Sequence, residues 1–201
     1  SGSLLRYQIS FSFYLAELTC ARRVRGGSVC KEPRQAGMCR MSDESRAVIV
    51  NVATVDDAEA IISLIAQAHG ESRYASYPFA QVRLRRFVVQ SLGDVDGKQT
   101  RTFVAKVDGQ VVGLASANVS PLIYSTALVV STMLFFVKEV HRWGSAPPKL
   151  LTALADWARE KEAVELTVHV TRGLDEGAER INRFFRAKGF EASGENLHLK
   201  L

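Results

Sequence analysis

A loop and helix start downstream of a long apolar strand carry the residues most suited to binding an anion. The apolar run Leu128–Val137 leads into a loop over residues 138–146, which contains Arg142 and Ser145, and Lys149 follows in the next helix. The first turn of a helix presents backbone N–H groups without partners, and these attract negative charge. Together with a guanidinium, a hydroxyl and an ammonium group, they predict a site large enough for a diphosphate.

The same segment also allows a simpler interpretation. Pro147 and Pro148 have no N–H, so part of the donor set of the helix start is missing. Gly144 would allow close approach of a ligand, but it is equally common in connecting loops. An ordinary strand-to-helix connection with solvated Arg142 and Lys149 side chains therefore stays open on these residues alone.

Periodicity and turn residues predict the elements that position this loop. Thr54 is expected to cap a helix that ends at Gly70, and Asp108-Gly109 to form a two-residue hairpin turn. The predicted order is βααβββαβαβ, a mixed α/β domain. The expected strands cover residues 47–53, 102–107, 111–119, 128–137, 164–170 and 197–201, and the expected helices cover 54–70, 79–92, 147–162 and 175–188.

Charge and cysteine content divide the chain at Met41. The 201 residues carry 26 Lys and Arg against 21 Asp and Glu, a net charge of +5, and residues 1–40 account for all of it. That stretch also holds every cysteine, at Cys20, Cys30 and Cys39. We therefore expect an N-terminal extension over residues 1–40 and one domain over 41–201. The cysteines have no metal-site spacing, so reduced thiols and a cytoplasmic location are expected, and no apolar run is long enough to cross a membrane.

The domain resembles a known family in several short motifs that follow one another in the expected order. The matching segments are residues 52–57, the hairpin 107–113, Phe136-Val137 followed by Arg142 and Leu150-Leu151, and Lys188-Gly189-Phe190. Together they resemble the GCN5-related N-acetyltransferases over some 150 residues. The stretch 69–74, with Phe79 after it, is similar to the phage-associated and bacterial subgroup of small acetyltransferases.

The resemblance implies a fold, a cofactor and a set of binding residues. The fold would be a mostly antiparallel sheet with flanking helices, in which two central strands splay apart to hold acetyl-coenzyme A, the acetyl donor, without a metal. Proline stands at position 147, where the family usually has glycine. The implied cofactor-binding residues are Phe136 and Val137, through backbone atoms to pantetheine, and Arg142, Trp143, Gly144, Ser145, Ala146 and Lys149 around the pyrophosphate.

The resemblance also implies a direct transfer of the acetyl group to a primary amine. The absence of cysteine from residues 41–201 agrees with direct attack, without a covalent enzyme intermediate. Glu71 is the leading candidate for the general base, with a surface carboxylate as the alternative, and Tyr74 and Tyr77 either line the acceptor pocket or cover the core. Phe185 occupies the position where many relatives place a tyrosine that protonates the leaving thiolate.

The sequence therefore predicts an N-acetyltransferase, with a different class of protein as the alternative. That alternative is a coenzyme-A-binding or interaction module that has kept the fold and lost catalysis. The expected partner is a small-molecule or peptide amine, and a homodimer is left open. No membrane partner is expected. Nor is nucleic acid, because the basic and aromatic residues of 180–190 are better explained by core packing and by charge balance on the same helix.

Overall fold

The computed structural model describes residues 47–94, 96–169 and 176–194, with the backbone alone at 176–178. A five-stranded sheet runs in the order β1 to β5; neighbouring strands are antiparallel except β4 and β5, which are parallel. The strands are β1 Ile49–Val52, β2 Thr100–Val107, β3 Gln110–Pro121, β4 Leu128–Val137 and β5 Glu165–Thr167, and the helices are α1 Ala58–Gly70, α2 Gln81–Leu92, α3 Ala146–Glu160 and α4 Glu176–Arg186.

The helices cover both faces of the sheet. The side chains of α3 and α4 share one core with one face of the strands, as shown by Leu154 and Ile181 packing with Phe135. Those of α1 and α2 share a second core with the opposite face, where Leu64 packs with Leu114. The predicted mixed α/β class with a mostly antiparallel sheet is confirmed. The predicted strand 197–201 and the extension 1–40 lie outside the described residues.

Local sequence signals place the helix starts and the hairpin where they were predicted. Asp108 and Gly109 adopt positive φ angles of 50° and 77°, as a two-residue hairpin turn requires. Thr54 caps a short 3-10 turn that leads into α1, and its N–H donates to the Asp57 carboxylate at 3.1 Å. Lys106 on β2 pairs with Asp57 at 2.7 Å, so this cap also fastens α1 to the sheet.

Burial alone would raise the pKa of the Asp57 carboxyl. Its hydrogen bond with Lys106, the hydrogen bonds from Thr54 and the Lys106 charge outweigh that effect and hold the pKa below its usual range.

A β-bulge in β4 changes which side chains reach the α1–α2 face of the sheet. Ser116 of β3 is opposite Leu134 and Ala117 is opposite Thr132, which leaves Met133 as the extra residue. As a result, Met133 and Leu134 both line the same cavity, although they are adjacent in sequence. In regular strand geometry they would point to opposite faces.

Among the described residues, no helix is both long enough and apolar enough to cross a membrane.

Candidate functional site

Strand β5 pairs with β4 along its whole length and ends well before β4 does. Their pairing runs from Val129 with Glu165 to Ser131 with Thr167, whereas β4 continues to Val137. Along residues 132–137, β3 pairs with one edge of β4, and no described strand pairs with the other edge. The structure therefore leaves a gap in the sheet beyond the end of β5, bordered by the C-terminal half of β4.

The backbone direction of β4 decides which residues face this gap. The N–H of Lys138 donates to Val112 O on β3 at 2.8 Å. The side to which a residue's N–H and C=O groups point alternates along an antiparallel strand. Phe136 therefore directs its backbone groups to β3, as Lys138 does, and Val137 directs its own toward the gap. In agreement, Phe136 O points at β3, because it would lie 3.1 Å from a Cβ added to Gly113 of that strand. Of the two residues expected to present backbone atoms to a ligand, Val137 faces the gap and Phe136 faces β3; their contact with a ligand stays a prediction.

The loop after β4 leads to a helix start with several unpaired donors. Helix α3 begins at Ala146, with Pro147 and Pro148 in its first turn. Within the described part of the chain, the N–H groups of Trp143, Ser145 and Ala146 donate to no protein acceptor. The two prolines therefore reduce the donor set of the helix start without eliminating it, and the remaining donors fit an anionic group.

Other residues predicted for this loop make different contacts. The Lys149 ammonium donates to Val48 O at 2.7 Å, and its contact with an anion in the loop stays a prediction. Trp143 is 58% exposed, and the Arg180 guanidinium lies 3.8 Å from its ring centroid. Gly144 is exposed, but its N–H is used within the loop.

Arg142 is buried and forms an ion pair with Glu71. Its side chain is 1% exposed; Nη2 contacts Glu71 Oε2, and Nε donates to Val137 O at 2.8 Å. Its guanidinium also lies 5.3 Å from the Phe136 ring centroid. The remaining oxygen of Glu71, Oε1, accepts a hydrogen bond from Gln67 at 2.9 Å. In this arrangement Arg142 does not project freely from the loop and both Glu71 oxygens accept hydrogen bonds, while the roles expected for the two residues stay predictions.

The pair joins two parts of the site that the sequence treats separately. Glu71 follows α1 and Arg142 follows β4, so the contact fastens the α1–α2 connection to the end of the strand beside the gap. Arg142 Nη1 is buried and, within the described residues, makes no hydrogen bond. An unpaired buried donor of this kind costs free energy, which reduces the net stabilisation from the pair.

A cavity of about 410 Å³ lies between the α1 and α2 helices and the sheet. Tyr74 lines it, together with Met133 and Leu134 from the bulge. Tyr77 does not line it and is 55% exposed. Tyr74 thus belongs to the cavity wall, and its place in an acceptor pocket stays a prediction. No signal in the sequence points to Met133 or Leu134, because a bulge in the middle of an apolar strand leaves no mark in the hydrophobic pattern.

Phe185 packs in the core on the α3–α4 side of the sheet. It is 4% exposed, and its ring lies 6.5 Å from that of Phe135 on β4 and 5.3 Å from that of Phe190. The side chain at this position can donate no proton. Among the described residues, no group of three or more His, Cys, Asp or Glu side chains could hold a metal ion.

Comparison with known proteins defines the fold. No protein-family model matches the sequence, and a search of curated proteins gives no match. Many solved structures match by shape. An acetyltransferase from Trypanosoma brucei has a TM-score of 0.59 at 18% identity, covering 77% of this chain and 100% of that one. A ribosomal-protein-alanine N-acetyltransferase from Brucella melitensis has a TM-score of 0.57 at 19% identity, covering 77% and 99%.

A third similar structure was solved with a coenzyme-A derivative. It is AAC(6')-Iy in complex with the bisubstrate analogue CoA-S-monomethyl-acetylneamine, with a TM-score of 0.60 at 16% identity, covering 77% of this chain and 98% of that one. These likenesses show that the chain has the GCN5-related N-acetyltransferase fold. The expected fold family is thereby confirmed. The phage-associated subgroup remains an expectation.

Proposed function

We propose that this protein transfers the acetyl group of acetyl-coenzyme A to a primary amine. The observation that carries the proposal is the gap beyond Ser131 and Thr167, which adjoins an anion-binding helix start at the end of the same strand. Similar folds solved with coenzyme A or its analogues support this use of the gap.

The residues present fit the acetyl donor at both ends of the site. The N–H of Val137 faces the gap and would donate to the pantetheine arm, whereas Val137 O accepts a hydrogen bond from Arg142 Nε. The N–H groups of Trp143, Ser145 and Ala146 would hold the pyrophosphate at the positive end of α3. When bound there, acetyl-coenzyme A supplies a thioester for attack.

Proton transfer is assigned to Tyr74 in this proposal. Glu71 is held by Arg142 and Gln67, so in this arrangement it positions the α1–α2 connection and accepts no proton from an amine. Tyr74 lines the cavity, and its hydroxyl is the candidate for protonating the departing thiolate. Tyr74→Phe should lower kcat without changing the Kd for acetyl-coenzyme A. Tyr77→Phe, an equal change outside the cavity, should alter neither.

Ligand-induced stabilisation tests donor binding. A ligand that binds only the folded state at a hundredfold excess over its Kd adds about 2.7 kcal/mol to the free energy of unfolding. In a chain of this size that shift corresponds to roughly 5–11 °C in Tm. Absence of any shift at millimolar acetyl-coenzyme A would contradict the proposal. A shift without amine-dependent thiol release would instead indicate a binding module.

A pair of substitutions at Ser145 tests the helix-start donors directly. Ser145→Pro removes one N–H at a residue whose φ is −82°, close to the value that proline requires, whereas Ser145→Ala keeps the N–H. A hydrogen bond to a charged group contributes about 1.5–3 kcal/mol, so Ser145→Pro should raise the Kd at least tenfold. Ser145→Ala should bind as the unchanged protein does. Equal affinities in both variants would show that this N–H does not contact the donor.

A further inference from the structure

The cavity between α1, α2 and the sheet has apolar walls. Leu84 and Phe87 of α2, Ile65 of α1, and Leu114 and Leu134 of the sheet line it. Its volume of about 410 Å³ lies within the usual range of small-molecule sites. These walls favour an apolar occupant, because they offer few partners for a polar one.

The polar groups at the floor of the cavity are already paired with each other. Thr102 Oγ1 and Ser116 Oγ are hydrogen-bonded at 2.9 Å, and both residues are buried. They therefore offer a ligand only neutral hydroxyl groups and no negative charge. An occupant rich in ammonium groups would lose its hydration there without compensation.

Charge around the cavity argues in the same direction. Among the described residues that line it there is no Asp or Glu, and Arg83 carries the one permanent charge. Arg83 is exposed on α2, where its charge repels a polycation that approaches the opening. The cavity thus disfavours the polyamine and aminoglycoside class by both desolvation and repulsion.

The cavity also reaches the place where transfer would occur. Met133 and Leu134 line it, and they come directly after Ser131 and Thr132, where the pairing of β4 with β5 ends. Tyr74 lines the cavity from the loop that follows Glu71. An amine whose apolar part fills this space would present its nitrogen near the gap between the strands.

Resting on the proposed function, we infer that the acetyl acceptor is an apolar primary amine whose aromatic or branched aliphatic group occupies this cavity. The amine nitrogen forms the new C–N bond to the acetyl carbon as the C–S bond breaks. The sulfur leaves with its electron pair as thiolate and is protonated, and the nitrogen loses one proton. The products are the N-acetyl amine and free coenzyme A.

A homologous series of amines tests the inference on the full chain with acetyl-coenzyme A. The probes are propylamine, butylamine, hexylamine and phenethylamine, with spermidine and sisomicin as polycationic counterparts. Burial of each added methylene should raise kcat/KM about fourfold until the cavity is filled. Both polycations should be at least tenfold poorer substrates than phenethylamine. A flat series, or a preference for the polycations, would overturn the inference.

Two alanine positions on α1 provide a matched pair of variants. Ala68 lines the cavity and Ala66 does not. Ala68→Leu narrows the space and should shift the optimum toward shorter amines, lowering kcat/KM for phenethylamine at least tenfold. Ala66→Leu makes the same change elsewhere on the helix and should leave the order of substrates unchanged. Should Ala68→Leu fail to fold, Phe87→Ala widens the cavity instead, and the optimum should move to longer amines.

Three outcomes separate the inference from the proposed function. If acetyl-coenzyme A gives no thermal shift but phenethylamine does, the cavity assignment holds and the proposed function fails. If the polycations are acetylated in preference to the apolar amines, the function holds and the acceptor class is wrong. If kcat/KM rises with acyl length, from acetyl- to hexanoyl-coenzyme A, and not with the amine, the cavity receives the donor's acyl group and the inference is overturned.

Discussion

The buried ion pair between Arg142 and Glu71 should be a major source of stability at the site. The Arg142 side chain is 1% exposed and that of Glu71 is 20% exposed. Removing one partner of a buried pair costs roughly 3–5 kcal/mol, because the other charge is left unpaired in a poor solvent. Since Arg142 keeps its bond to Val137 O, and Glu71 is partly solvated, we expect Glu71→Gln to cost about 2–3 kcal/mol. The Tm should fall by roughly 4–12 °C.

Urea unfolding of a double-mutant cycle measures this directly. The cycle comprises Glu71→Gln, Arg142→Met and the double variant, followed by circular dichroism. If the two side chains interact as described, the double variant should be destabilised by at least about 1 kcal/mol less than the sum of the single changes. Glu59→Gln is the matched control, because Glu59 pairs with Arg85 at the surface of α1 and α2, where both side chains are largely exposed. It should leave the unfolding curve unchanged.

One result would refute the reasoning about this pair. If Glu71→Gln unfolds like Glu59→Gln and the cycle shows no coupling, Glu71 is not held by Arg142 in solution. A large loss of kcat in such a stable Glu71→Gln variant would return Glu71 to the role of general base. The stability measurement and the turnover measurement therefore have to be made on the same variant.

Three further predictions concern the frame of the site. Because the pKa of Asp57 is lowered, its contribution to the free energy of unfolding is complete above about pH 4 and is lost as the pH falls further. Asp57→Asn should therefore flatten the acid limb of the plot of unfolding free energy against pH. An unaltered acid limb would exclude a role for the Lys106 pair. Gly113→Ala would place a Cβ 2.9 Å from Val137 Cγ2. It should lower the free energy of unfolding in urea by roughly 1–3 kcal/mol and weaken acetyl-coenzyme A binding. Wild-type stability and affinity in this variant would contradict the close approach. A chain that starts at Met41 should melt within a few degrees of the full chain and keep its Kd for acetyl-coenzyme A, whereas a much lower Tm or insolubility would make residues 1–40 part of the domain.

Most elements of the described domain could be predicted from the sequence because their signals are local. The predicted bounds of β4, Leu128–Val137, agree with the structure, and the Asp108-Gly109 turn and the Thr54 cap form where expected. Such features depend on residues only a few positions apart, whose backbone preferences and hydrogen bonds are set by their own types. The bounds of β5, the last strand of the sheet, were predicted less well: β5 covers Glu165–Thr167, whereas the predicted strand covered 164–170.

The composition of the site was decided by the tertiary structure. Glu71 and Arg142 were both singled out from the sequence, but for separate roles, and it is the packing of α1 beside the end of β4 that makes them partners across 71 residues. The bulge at Met133 and the resulting cavity likewise depend on the register between β3 and β4. The physical reason is the distance along the sequence between the residues that interact. Hydrophobic periodicity reports which face of an element is buried. Hydrophobic periodicity does not report which charged groups pair or where one strand ends beside another. These features depend on contacts between distant segments, which form only when the whole sheet assembles.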